Sequence, residues 1–375
     1  MSYLVKKDLS LFKTVRFFDY DGTVLSTQYI MPGGSAIAPE SPSHDRLTFS
    51  EWNNDFTNVQ KNIDVGAIYN TISGNTELDI VVNSVTGLLV TLNLTKTDAS
   101  LMTIDWGDTT SSTSSVFDNV SFSHTYSTDG SYTVKISASA TFYLGSGTSA
   151  TKLISSSSYQ LVNAFFGNFS NFNNYSFYQT YSLSKMSIRP GAVGIGDNTF
   201  NSCRKLWCVA LPSSVTSIGA SAFQNCFSLT TLTIPSSVTS IGANAFYGCV
   251  SLTTPTIPSS VTSIGASAFQ SCYSLTTLTI PSSVTSIGAN AFQNCFSLTT
   301  LTIPSSVTSI GANAFQSCFP LTEYHFIGST PPTLEDATVF TGIIGICKIY
   351  VPAASVAAYK AATYWSSYVD YIYGE

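Results

Sequence analysis

SLTTLTIPSSVTSIGANAFQNC, residues 274–295, contains no charged side chain and no histidine, and nearly the same words recur on both sides of it every 23 residues. Phe177, Phe200, Phe223, Phe246, Phe269, Phe292 and Phe315 keep that period. So do Cys203, Cys226, Cys249, Cys272, Cys295 and Cys318, and the prolines Pro212, Pro235, Pro258, Pro281 and Pro304. A fixed period of this length marks a solenoid, in which each unit buries its apolar residues only against its neighbours.

Within one unit, Leu229, Leu232 and Ile234 sit among threonines, a composition that favours a strand. Pro235 ends the strand because it has no N–H for a ladder. SSVTSIG gives a second short extended piece closed by Gly242, and ANAF makes a turn or a single helical turn that drives Phe246 inward. The unit LTIPSSVTSIGANAFQNC resembles the BspA-type leucine-rich repeat family over residues 182–327, with 182–203 as a degenerate first copy. The stretch 349–372 is similar to the cap that closes such arrays. The resemblance implies a β-rich solenoid on surface proteins that bind host or matrix partners. Pro255 departs from the pattern, standing where other copies have Leu232, Leu278 and Leu301, and is expected to dent the sheet. Cysteines at the repeat period argue for one structural position used six times. No CxxC or Cys/His pairing accompanies them, so they read as buried thiols acting as small hydrophobes, with cross-linking between neighbours left open.

Only 10% of the 375 residues are charged, against about 25% in an ordinary domain, and the net charge is −6. From Leu206 to Thr322 there is no Asp, Glu, Lys, Arg or His. General acid–base catalysis, hard-metal binding and nucleic-acid binding all need such side chains, so this array is expected to perform none of them and to hold no cofactor. A neutral surface of Ser, Thr, Asn and Gln can pack against a protein, hydrogen-bond a glycan, or serve as a spacer; these readings stay open. The candidate binding face is Thr231 and Thr233 with their copies Thr277, Thr279, Thr300 and Thr302. Pointing outward, they would form ladders with a spacing of about 4.8 Å. Ice-binding solenoids carry rows of this kind, although strand propensity is the simpler reason for threonine there.

The front half offers one enzyme-like motif. DYDGT, residues 19–23, resembles the first motif of haloacid dehalogenase-like phosphatases, which implies Asp19 as nucleophile and Asp21 as acid/base around Mg²⁺. The alternating βα domain of that family does not follow. A longer likeness covers 15–69, where DYDGT, GGSAIAP, Trp52 and VGAIY resemble the Listeria–Bacteroides (internalin B) repeat, a β-grasp-like module. Asp19 and Asp21 are then turn residues. MTIDWGDTTSS (102–112) and FSHTYSTDGSYTVKISAS (122–139) resemble the polycystic kidney disease (PKD) domain, an immunoglobulin-like sandwich, with Trp106 and Tyr126 as core aromatics and His124 structural. Asp105 and Asp108 alone make a poor calcium site.

The expected protein is therefore mainly β and modular. An N-terminal tail or anchor (1–14) leads to a β-grasp-like module (15–70) and a PKD sandwich (73–146). A linker and N-terminal cap (147–181) precede the repeats (182–327) and a C-terminal cap (328–375). No apolar run approaches the roughly 20 residues that cross a bilayer, so no membrane insertion is expected. Residues 1–22 lack the apolar stretch of a secretory signal. Together these features point to a phage virion surface protein, anchored to other virion proteins through its N-terminal part, with the solenoid projecting toward a host surface protein or glycan. A bacterial cell-surface adhesin is the alternative. Oligomerisation on the particle is left open.

Overall fold

The computed structural model describes residues 12–71, 75–82, 89–96, 98–116, 118–138, 142–144, 159–165, 172, 174–188, 190–319, 321–342 and 347–375. Most of the expected tail, residues 1–11, lies outside them.

The chain opens with β1 (Lys13–Phe18), β2 (Val24–Ile30), β3 (Leu47–Trp52) and β4 (Ile63–Thr71). They form one mixed sheet in the order β2-β1-β4-β3, with β1 and β4 parallel at its centre and the outer pairs antiparallel. Lys13 and Thr14, expected in the tail, already belong to β1. Val15, Phe17, Ala36, Val59 and Val65 make its core. Strand β4 is buried from Asp64 to Tyr69, because both of its faces are covered.

Next come β5 (Thr76–Val82), β6 (Leu89–Lys96), β7 (Met102–Asp105), β8 (Ser111–Ser114), β9 (Asp118–Thr125), β10 (Gly130–Ala138) and β11 (Phe142–Leu144). Two more follow, β12 (Tyr159–Phe165) and β13 (Lys185–Ser187). One sheet runs β13-β12-β5-β10-β7-β8 and the other β11-β6-β9. Leu78, Ile80, Leu92, Leu94, Ile104, Trp106, Tyr126, Val134 and Ile136 are fully buried in one core. The Tyr126 hydroxyl donates to the Trp106 carbonyl at 2.7 Å, and the His124 ring stacks on Trp106 and bonds Asp108.

Residues 147–181, expected as linker and cap, contain β12. This strand pairs antiparallel with β5 and parallel with β13, the first strand of the repeat region. The sandwich therefore runs into the solenoid through shared sheet and shared core.

Each coil of the solenoid turns the same residues inward. In one coil Leu229, Leu232, Ile234, Val238, Ile241, Ala245, Phe246 and Cys249 are all buried. Two-residue strands at Ser217–Ile218, Ser240–Ile241, Ser263–Ile264, Ser286–Ile287 and Ser309–Ile310 stack in parallel register. ANAFQN is a turn with two left-handed residues four apart, as at Asn290 (φ 57°) and Asn294 (φ 62°), filled from Asn198 onward by Asn, Ser or Gly248 and in the copy before it by Tyr175 and Gln179. Asn tolerates that region better than most residues. The glycine closing each coil is forced by packing: a Cβ on Gly265 would lie 2.7 Å from the Ala243 nitrogen and the Gly242 carbonyl carbon of the coil before it.

Beyond Leu321 the sheet continues through parallel strands at Glu323–Phe326, Lys348–Val351 and Ile372–Gly374. Helix α1 (Val356–Ala361) and the turn after it close the end, with Tyr359 and Trp365 buried and the Trp365 indole donating to the Pro332 carbonyl at 2.9 Å.

Candidate functional site

The two expected ladders are internal. Rings from Phe177 to Phe315 stack at 5.1–5.6 Å with planes within 22°, and the column continues to Phe340 at 5.7 Å. All eight cysteines are buried and none is in a disulfide. From Cys203 to Cys318 each repeat thiol donates to the carbonyl of the phenylalanine 26 residues earlier, at 3.1–3.4 Å. Burial pushes Cys226, Cys272 and Cys295 well above the ordinary thiol value and Cys249 and Cys318 up to about 12. Such thiols are poor nucleophiles, so the column is structural.

The threonine face does not stand clear along its whole length. Thr277, Thr279, Thr300 and Thr302 are exposed, whereas Thr233 is only 1% exposed and Thr231 is half-buried. The condition for one continuous threonine ladder, that all six point outward, is thus met by four of them, and the cause is the N-terminal sheet folded back onto the array. Asn53, itself buried, donates its amide to the Leu211 carbonyl and the Thr233 hydroxyl, both at 2.9 Å, and accepts from the Gly66 N–H at 2.6 Å. Gly66 permits the approach, since a Cβ there would sit 2.5 Å from Thr233 Oγ1. Asn54 accepts from the Ser236 N–H, and Glu51 accepts from the Ser213 hydroxyl. The first module is therefore packed against the solenoid rather than held apart from it.

Where this sheet ends, a cleft of about 270 Å³ opens against the coil containing Pro255. The strands at Cys208–Ala210 and Thr231–Thr233 pair with each other, but the sheet stops there. Pro255 supplies no N–H, Thr254–Thr256 form no strand, and pairing resumes at the Thr279–Thr302 bridge. The dent expected at Pro255 is thus a break in the sheet. Arg16 grips Asp64 with two bonds of 2.7 Å and donates to the Thr254 hydroxyl at 3.2 Å. Asp64 also accepts from the Thr256 hydroxyl. Lys61 lines the same cleft with its ammonium buried and without a hydrogen-bond partner among the described residues, and burial pushes it below the ordinary lysine value.

A second surface feature escaped the sequence reading. The residue after each repeat cysteine builds a surface column, Arg204, Phe227, Val250, Tyr273, Phe296 and Phe319, which Tyr181 extends one period earlier; all but the half-buried Val250 are exposed. The five aromatics are 37–48% exposed. Tyr273, Phe296 and Phe319 stack at 5.1 and 6.0 Å, and Arg204 lies between the rings of Tyr181 and Phe227. The 23-residue period could have revealed it, had the position beside the cysteine been read for exposure. Because neighbouring rings cover each other's faces, the column offers edges to solvent. That geometry suits an apolar protein contact better than stacking of a sugar ring.

Asp19 and Asp21 lie in the β1–β2 turn. Asp19 is buried and accepts from the Tyr69 hydroxyl at 2.7 Å and from His44, while Asp21 accepts from Thr23 and pairs with Lys185. Both carboxylates are engaged in holding the turn, and among the described residues no doubly wound parallel sheet surrounds them. His325 contacts Glu375 and stacks on Tyr350. Among the described residues no cluster of three or more His, Cys, Asp or Glu could hold a metal, and no helix is long and apolar enough to cross a membrane.

The family model for the BspA type leucine rich repeat region matches in six copies, over 170–295 and 239–358, which together span half of the chain. Among solved structures, a leucine rich repeat protein of T. pallidum is 33% identical, covering 40% of this chain and 68% of its own, with a TM-score of 0.36. A leucine rich cell surface protein of Faecalibacterium prausnitzii A2-165 is 22% identical over 57% of this chain and 78% of its own, TM-score 0.33. The pneumococcal vaccine antigen PcpA is 16% identical over 57% and 68%, TM-score 0.31. No curated protein matches the chain.

Proposed function

Because the chain belongs to the BspA-type leucine-rich repeat family, we propose that it is a non-enzymatic, surface-displayed recognition protein whose solenoid makes the contacts. The observation that carries this over a plain spacer is the aromatic column. Five large aromatic side chains are held at one repeat position and left 37–48% exposed. A spacer has no need of such a row, and contiguous apolar surface of this kind marks interaction sites. The exposed threonines Thr277, Thr279, Thr300 and Thr302 supply a second, polar surface for a protein or glycan. The setting is a bacterial cell surface, in keeping with the neighbour named as a cell surface protein.

A second setting is the surface of a phage virion, with the N-terminal part held by other virion proteins. The eight buried thiols favour it, since a particle assembled in a reducing cytoplasm needs no disulfides. The strand order β2-β1-β4-β3 supports reading 15–70 as an internalin B-repeat, β-grasp-like module. The two facing sheets around Trp106 and Tyr126 support a PKD-like reading of 73–146.

The test is binding of the full chain to panels of extracellular matrix proteins and glycans, against the double variant Tyr273→Ser/Phe296→Ser. A partner retained by the parent and weakened about tenfold or more in the variant supports recognition through the column. Equal retention by both, or no partner in either panel, would overturn it.

A further inference from the structure

We propose that the cleft between the N-terminal sheet and the Pro255 coil binds a carboxylate-bearing sugar, with Lys61 holding the carboxylate. The proposal rests on the recognition reading above and gives it a ligand class.

The lining supplies three charges: Arg16, Lys61 and Asp64. Arg16 and Asp64 neutralise each other through two short bonds, and each also bonds a threonine hydroxyl, Arg16 that of Thr254 and Asp64 that of Thr256. Lys61 is left over. Its ammonium is buried with no hydrogen-bond partner among the described residues, a costly arrangement that a folded protein keeps only with a reason. An anion entering the cleft would supply the missing partner.

The rest of the lining specifies more than an anion. Hydroxyls of Thr14, Thr277 and Thr279 and the Asn62 side chain can exchange hydrogen bonds with sugar hydroxyls, while Pro255, Ile257 and Pro281 offer an apolar floor for C–H groups. The volume lies near the lower limit for small-molecule sites, enough for a sugar unit but not an extended chain. The position is also specific within the array. Leu232, Leu278 and Leu301 hold this strand position in neighbouring copies, and the one proline copy is where the sheet breaks and the cleft opens.

The experiment is calorimetric titration of the full chain with D-glucuronate, D-glucose and acetate, repeated on Lys61→Met and Thr279→Val. The expected result is saturable glucuronate binding about tenfold or more tighter than glucose or acetate. Lys61→Met should lose it while raising Tm without ligand, because the orphaned ammonium is gone; a merely structural lysine would lower Tm. Thr279→Val, an exposed change, should weaken glucuronate and leave acetate unaffected. Glucuronate binding no tighter than acetate or glucose, or undiminished in Lys61→Met, would overturn the proposal. Were Lys61→Met to misfold, undiminished glucuronate binding in Thr279→Val would overturn it by itself. These titrations use purified protein, so they succeed or fail independently of where the protein is displayed.

Discussion

Replacing Phe269 by alanine removes a ring from the middle of the internal column. Phe269 is fully buried, stacked on Phe246 at 5.2 Å and on Phe292 at 5.6 Å. Truncation of a buried phenylalanine costs about 3–5 kcal/mol, the upper end applying where the cavity cannot collapse. Collapse is prevented here because backbone bonds fix the coil spacing: Phe246 N–H donates to Ala268 and Phe269 N–H to Ala291, both at 2.8 Å. The loss should therefore be about 4 kcal/mol, or nearly a thousandfold in local opening at 1.4 kcal/mol per tenfold. Stability in a solenoid passes between nearest neighbours, so the damage should centre on coils 240–300 and spare the sandwich. Hydrogen exchange with peptide-level mass spectrometry reads this directly. Protection that falls less than tenfold in 240–300, or equally throughout the chain, would refute the reasoning.

Four other outcomes follow from named contacts. Ser317→Gly, at φ +60° where another copy has Gly248, should stabilise by roughly 0.5 kcal/mol, read as a small rise in Tm. Gly265→Ala should destabilise by about 1–3 kcal/mol, because its Cβ would meet backbone rather than a movable side chain. Asn53→Ala leaves the Leu211 carbonyl and the Gly66 N–H without that partner, so a loss of about 1–3 kcal/mol and faster exchange at Gly66 are expected. The buried thiols also set an alkaline limit. Their native values are raised to about 12 for Cys249 and Cys318, from 9.0. Above pH 9 the unfolded chain has released protons that the native chain retains, so stability falls as pH rises from 9 toward 12. Urea midpoints measured from pH 8 to 11 should decline over that window, and a flat profile would contradict it.

The internal ladders were legible because every copy repeats the same burial, so period alone identified Phe246 and Cys249 as inward. The strand β12 was not. Its bulge between Leu161 and Asn163 puts the buried residues at Leu161, Ala164 and Phe165 and hides the two-residue rhythm of a strand. The covering of Thr233 was equally hidden, since a threonine beneath another module and one facing water read alike. Asn53 and Gly66 carry that contact across about 180 residues of sequence separation, and neither belongs to a repeat. Pro255 was visible as a departure from the pattern. Its consequence, a cleft completed by Arg16, Lys61 and Asp64, depends on a docking that only the fold supplies.

Surface display is tested most directly by immunogold labelling with an antibody against residues 206–322, applied to intact source cells and to phage particles from the same culture. Gold on cell envelopes is the predicted result, and gold on particles would move the display to the virion. Gold confined to the cytoplasm of sectioned cells, with envelopes and particles bare, would contradict the account.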